Sequence, residues 1–67
     1  MMEVRINGAE QVFETETTLS ELLDQKGLNR NRVVVEYNAK IVDRNDLSSI
    51  VIKEKDIIEI VSFVGGG

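Results

Sequence analysis

A chain of 67 residues with a net charge of −4, no cysteine and no histidine makes one small domain held together by packing alone, since disulfides, thiolate metal sites and the common zinc ligand sets are excluded. The acidic balance argues against a nucleic-acid backbone, which takes a basic face. No apolar run approaches the roughly 20 residues that span a bilayer, and Met1-Met2-Glu3-Val4-Arg5 lacks the apolar core of a secretory signal, so a cytoplasmic chain with no membrane and no nucleic-acid partner is expected.

Charge is uneven along the sequence. Residues 1–24 hold Glu3, Glu10, Glu14, Glu16, Glu21 and Asp24 against Arg5, a balance of −5, and the remainder carries +1. A solvated helix and hairpin surface accounts for this, and steering toward a basic partner is the alternative.

Glu3-Val4-Arg5-Ile6-Asn7 alternates polar and apolar, the period of a half-buried strand. Asn7-Gly8 follows, a pair that tolerates positive φ and favours a tight hairpin turn, and Gln11-Val12-Phe13-Glu14 runs back as the second strand. Thr18-Leu19-Ser20-Glu21 reads as a capping box, with the threonine hydroxyl accepting from the first turn and Glu21 reaching back. Leu19, Leu22 and Leu23 recur at helical spacing, Leu28 can close the stripe, and Gly27 suits the left-handed residue past a helix end, which predicts a helix over 19–26. So short a helix does not persist alone in water, so its leucines must pack on a sheet.

After the polar connector Asn29-Arg30-Asn31-Arg32, Val33-Val34-Val35-Glu36-Tyr37 is a strong strand signal. Asn38-Ala39 reads as a turn and Lys40-Ile41-Val42 as a short returning strand. Residues 43–46 read as polar loop, and 47–52 as a loop with Leu47 buried and Ile50 a second candidate. Lys53-Glu54-Lys55-Asp56 is a charged turn before the last strand, which begins at Ile57. One helix and about five strands predict an α+β architecture, with the helix laid across one face of a mixed sheet. Val4, Ile6, Ile58 and Ile60 then face the helix. Glu59, Val61 and Phe63 take the other face, joined by Val34. The predicted domain covers 1–64, and Gly65-Gly66-Gly67 is a flexible glycine tail.

Catalytic chemistry is poorly supplied. Histidine and cysteine are absent, and the serines have no histidine to activate them. Asp43 with Asp46, or Glu54 with Asp56, could pair over a substrate or Mg²⁺, but each pair sits among basic residues in a turn and reads as solvated loop charge. No metal site and no bound cofactor is therefore expected. The glycines are not a phosphate loop, because no helix follows them. An exposed patch of Val34, Val61 and Phe63 would suit a partner; the open alternative is that Tyr37 or Leu47 folds over it.

What remains is the C-terminal carboxylate. It can be a substrate, its oxygen attacking the α-phosphate of ATP to form an acyl-adenylate, and glycine leaves room for the nucleotide. Four residues beyond a strand reach at most about 13 Å, enough to enter a buried site from a docked body. Ordering three glycines costs on the order of 3–6 kcal/mol, to be offset by hydrogen bonds in the channel and docking of the patch.

Over essentially its whole length the chain resembles the ubiquitin-like β-grasp sulfur carriers, above all those of bacterial thiamin biosynthesis. The resemblance rests on Glu3-Val4-Arg5-Ile6-Asn7-Gly8, on Val33-Val34-Val35-Glu36-Tyr37-Asn38, and on the ending Asp56-Ile57-Ile58-Glu59-Ile60-Val61-Ser62-Phe63-Val64-Gly65-Gly66-Gly67. It implies a carrier and not an enzyme. An E1-like activating enzyme using ATP with magnesium would adenylate the terminal carboxylate, a persulfide would supply sulfur, and the resulting thiocarboxylate would serve thiazole synthase. By match, Gly67 bears the sulfur with Gly66 as its neighbour; the residues themselves assign Gly65 and Val64 to threading the tail and Phe63, Val61 and Val34 to docking. Family members commonly carry Asn-Gly where this chain has Asn38-Ala39, and a proline in the next loop that is missing here; both departures concern turn geometry. Rival readings are the small subunit of molybdopterin synthase, a ubiquitin-like modifier conjugated to lysines, and a small adaptor domain with an inert tail.

Overall fold

Two Asn-led turns and one capped helix set the architecture seen in a computed structural model, which describes residues 1–63. Strand β1 (Met2–Ile6) turns at Asn7-Gly8 into β2 (Ala9–Phe13), and β3 (Val33–Tyr37) turns at Asn38-Ala39 into β4 (Lys40–Val42). In both hairpins two residues separate the last register partners, Ile6 with Ala9 and Tyr37 with Lys40. All four turn residues have positive φ: Asn7 51°, Gly8 84°, Asn38 50° and Ala39 72°. That is the type I′ turn whose twist matches the flanking strands.

Ala39 is the outlier among them, because a Cβ is strained in the left-handed region. Ala39→Gly should therefore stabilise the domain by about 1 kcal/mol, raising the melting temperature by roughly 4–8 °C. A lower melting temperature would show that the alanine methyl is held by contacts worth more than the strain.

Helix α1 spans Leu19–Gln25, one residue shorter than the predicted 19–26. Both halves of the capping box are present: the Glu21 amide donates to Thr18 Oγ1 at 3.1 Å, and the Thr18 amide donates to Glu21 Oε1 at 2.8 Å. At the other end Gly27 has φ 70°, the Leu28 amide donates to Leu23 O at 2.9 Å and the Gly27 amide to Asp24 O at 3.1 Å. This paired closure satisfies two of the carbonyls that a helix end leaves open. The loop after β4 serves the other end, since Leu19 and Ser20 donate to the carbonyls of Ile50 and Leu47, both at 3.0 Å.

The last strand, β5 (Ile57–Ser62), fills the centre of a five-stranded sheet of order β2-β1-β5-β3-β4. It runs parallel to β1 and antiparallel to β3. Leu19, Leu22 and Leu23 from the helix form one core with Val4, Ile6, Phe13, Val35, Ile58 and Ile60 from the sheet and with Leu47 and Ile52 from the long loop. Each fully buried side chain of this kind contributes roughly 1.5–3 kcal/mol. The predicted strand faces hold: Val4, Ile6, Ile58 and Ile60 point inward, and Leu47 is buried while Ile50 is partly so. Ile52, expected only as loop, is a full core residue; its amide donates to Thr17 O at 2.8 Å.

One expectation is overturned. Asp56 is not a solvated loop charge but a buried one, 7 % exposed. Its carboxylate accepts from the Tyr37 hydroxyl, from Asn38 Nδ2 at 3.1 Å and from the Lys53 amide at 2.7 Å. Asn38 Oδ1 in turn accepts from the Ile57 amide at 2.8 Å. The network thus ties the β3–β4 turn to the start of β5. Asn7 does the same from the first hairpin, its Oδ1 accepting from the Ile60 amide at 2.7 Å. Both turn asparagines are chosen for the strand they hold as well as for their backbone angles.

Burial first, then the hydrogen bond to Asp56 and its charge, push the Tyr37 hydroxyl from 10.0 up to about 12. The unfolded chain releases this proton near pH 10 while the folded chain retains it, so the Tyr37 contribution is complete below pH 10 and is lost as pH rises toward 12. Urea midpoints should fall over that interval in the native chain, and Tyr37→Phe should flatten the fall. An equal alkaline slope in both would remove Tyr37 as the cause.

Candidate docking face and the approach to the tail

The face of the sheet opposite the helix is set by strand parity. On β5 the residues alternating with Ile58 and Ile60 are Ile57, Glu59 and Val61, and all three are exposed. Val61 lies directly across from Val34 on β3. Val34 is 42 % exposed, Val61 62 % and Phe63 48 %, so the three predicted docking residues share one open face. Neither candidate cover reaches them: Leu47 is in the core, and Tyr37 packs against that core with its hydroxyl on Asp56. Among the described residues, the sheet is therefore covered on one side only.

Position along the strand matters as much as exposure. The ladder between β3 and β5 runs to the Val33–Ser62 pair, and the Phe63 amide continues it by donating to Arg32 O at 2.9 Å. Phe63 is thus fixed by backbone pairing at the last described residue, with its neighbour on the same face, Val61, already in the sheet. The predicted threading residues Val64 and Gly65, and the predicted reacting residues Gly66 and Gly67, lie outside the described residues.

Sequence reasoning missed three apolar members of the face. Ile41, 74 % exposed, lies across from Glu36 on β4, Ile57 lies across from Arg5 on β1, and Val12 on β2 lies across from Glu3. A two-residue turn at Asn38-Ala39 fixes which residue opposes which, so the outward placement of Ile41 could have been counted from the turn.

Three of the four carboxylates considered for chemistry, Asp56 as described above with Asp43 and Glu54, have structural partners. Asp43 Oδ1 accepts from the Asn45 amide at 2.8 Å, capping the single turn Arg44–Asp46. Glu54 Oε1 accepts from the Glu3 amide at 2.9 Å. Among the described residues no group of three or more His, Cys, Asp or Glu could hold a metal ion. Every buried side-chain nitrogen or oxygen described has a hydrogen-bond partner. No helix among them is long and apolar enough to cross a membrane.

A mixed five-stranded sheet with one helix on one face and an open apolar patch on the other is a ubiquitin-like β-grasp domain. Comparison with known proteins makes this specific. The ThiS family model matches residues 3–67, and the chain belongs to that family. It is 34 % identical over 65 residues to the sulfur carrier protein ThiS of Bacillus subtilis, with 96 % of this chain and 98 % of the relative covered. It is 36 % identical over 66 residues to a thiazole synthase of Paramagnetospirillum magneticum; the match takes in 98 % of this chain but spans only 20 % of that protein. The crystal structure of the thiamine biosynthesis protein ThiS from Geobacter metallireducens superposes with a TM-score of 0.81 at 26 % identity, covering 98 % of this chain and all of that one.

Proposed function

We propose that this chain is a sulfur carrier for assembly of the thiamin thiazole, and that it is a substrate of enzymes and not a catalyst itself. The observation that carries the reading is the continuity of β5. The same strand that is central in the sheet presents Val61, with Phe63 just beyond it, on an open face, and its sequence continues into Val64-Gly65-Gly66-Gly67 in a chain of the ThiS family. Docking of the face and delivery of the tail are then a single event. A rigid strand sets where the glycines begin, and three residues without side chains can enter a narrow channel.

The reacting group in this reading is the Gly67 carboxylate. Its oxygen attacks the α-phosphate of ATP on an adenylating enzyme and pyrophosphate leaves. A persulfide sulfur then attacks the acyl carbon, AMP leaves, and a thiol cleaves the sulfur–sulfur bond to free the thiocarboxylate. That thioacid is ionised at neutral pH, and its sulfur is a soft nucleophile for an imine or carbonyl carbon. The domain supplies binding energy from Val34, Val61 and Phe63, which offsets the ordering of the tail. Thiazole synthase is the acceptor partner, a reading supported by the similarity to a thiazole synthase reported above. The cytoplasm, where ATP is available, is the compartment that fits this chemistry.

Expression of the chain in a thiamin-requiring strain lacking its own carrier should restore growth without thiazole, whereas a strain lacking the small subunit of molybdopterin synthase should not be restored. The reverse pattern would move the chain to the molybdopterin pathway.

A further inference from the structure

The outer face holds a charged feature that the docking of apolar side chains leaves unused. Glu36 on β3 and Glu59 on β5 are direct register partners, at the middle of the sheet. Side chains so opposed have Cβ atoms roughly 4.5–5.5 Å apart, and like charges in that relation cost stability. Their same-face neighbours on β3, β4 and β5 are apolar. The Val34–Val61 pair lies next along the strands, Ile41 lies across from Glu36 on β4, and Ile57 precedes Glu59 on the same face. Among the described strand residues, parity puts one cation on this face, Arg5, and its antiparallel register partner on β2 is a carboxylate, Glu10. The face is therefore an apolar surface with an acidic centre.

We infer that this face docks on a protein surface presenting an arginine, whose guanidinium lies between Glu36 and Glu59 while Val34, Val61 and Phe63 cover apolar side chains around it. An arginine fits better than a lysine. Its planar fork of N–H donors can serve two carboxylates at once, whereas an ammonium is a single strongly hydrated point. The apolar rim excludes water from the contact, which strengthens it and places it at the centre of an interface, where binding energy concentrates. The repulsion carried by the unbound domain is relieved when the cation arrives. This inference rests on the carrier reading, and the partner it commits to is the adenylating enzyme, because the tail must be activated before it can donate sulfur.

Isothermal titration of the full chain with that enzyme, at low and at high salt, tests it. The double variant Glu36→Gln with Glu59→Gln keeps the shape of the face, relieves the repulsion and should fold at least as stably as the native chain. It should bind at least about tenfold more weakly, and it should lose most of the salt dependence that the native pair shows. Binding of the double variant equal to native, or weakened with the salt dependence unchanged, overturns the inference while leaving the carrier reading intact. A native chain that does not bind the enzyme in either salt removes the carrier reading, and this inference falls with it.

Discussion

Deleting Gly67 should abolish thiazole formation while leaving the domain folded. The shortened chain still ends in a glycine carboxylate, but the reacting carbon is drawn back by one residue, about 3.3–3.6 Å along an extended tail. Displacement of a reacting group by about 1 Å already costs on the order of a hundredfold in rate, so a loss of at least that size is expected when adenylation is followed by pyrophosphate release. Docking should be retained, because Val34, Val61 and Phe63 are untouched, so binding to the adenylating enzyme and the urea midpoint should both stay close to native. Adenylation by the shortened chain at the native rate would mean that the terminal residue is not what the enzyme positions.

Asp56→Ala should be the most damaging single change outside the apolar core. It leaves Asn38 Nδ2 and the Lys53 amide without their acceptor and the Tyr37 hydroxyl with only Val51 O at 3.4 Å, and the expected loss is about 2–4 kcal/mol. A domain of this length has on the order of 3–10 kcal/mol in total, so a substantial unfolded fraction should appear near physiological temperature. Asp56→Asn should cost less, for a geometric reason. Its amide oxygen can take the place of Oδ2, which serves both Tyr37 and Lys53. Its NH₂ group then meets the NH₂ of Asn38, which cannot turn over because Asn38 Oδ1 already accepts from Ile57. The order Ala worse than Asn, read as urea midpoints at constant slope, is the signature of the network. Equal midpoints for native and Asp56→Ala would show that the carboxylate contributes nothing.

The parts of the fold legible in sequence were those written in local chemistry. Asn7-Gly8, the Thr18–Glu21 box and Gly27 each act within a few residues, and each sits where its spacing placed it. The faces of β1 and β5 followed from alternation alone. Asp56 was misread because its sequence neighbours Lys53, Glu54 and Lys55 are solvated, whereas two of its partners, Tyr37 and Asn38, lie 19 and 18 residues away. Nothing in a charged tetrapeptide distinguishes the one carboxylate that the fold turns inward. Ile52 was misread for a similar reason: the loop that carries it is irregular, and burial there depends on pairing with Thr17 across the chain. On the candidate face, the outward placement of Val34, Val61 and Phe63 followed from parity. Ile41 could have been counted from the Asn38-Ala39 turn, whereas the opposition of Glu36 to Glu59 needed the register between β3 and β5, which becomes visible only when those strands are paired.

The central claim is that the chain carries sulfur on its C-terminal glycine, and intact mass spectrometry of the protein purified from its host, together with a sample treated with the adenylating enzyme, ATP and a persulfide donor, tests it most directly. The account predicts a species heavier by the replacement of one oxygen with one sulfur, with the change confined to a C-terminal peptide ending in Gly67 and absent when ATP is withheld. Unchanged mass in the presence of a competent enzyme and donor, or a gain that maps to any other part of the chain, would contradict it.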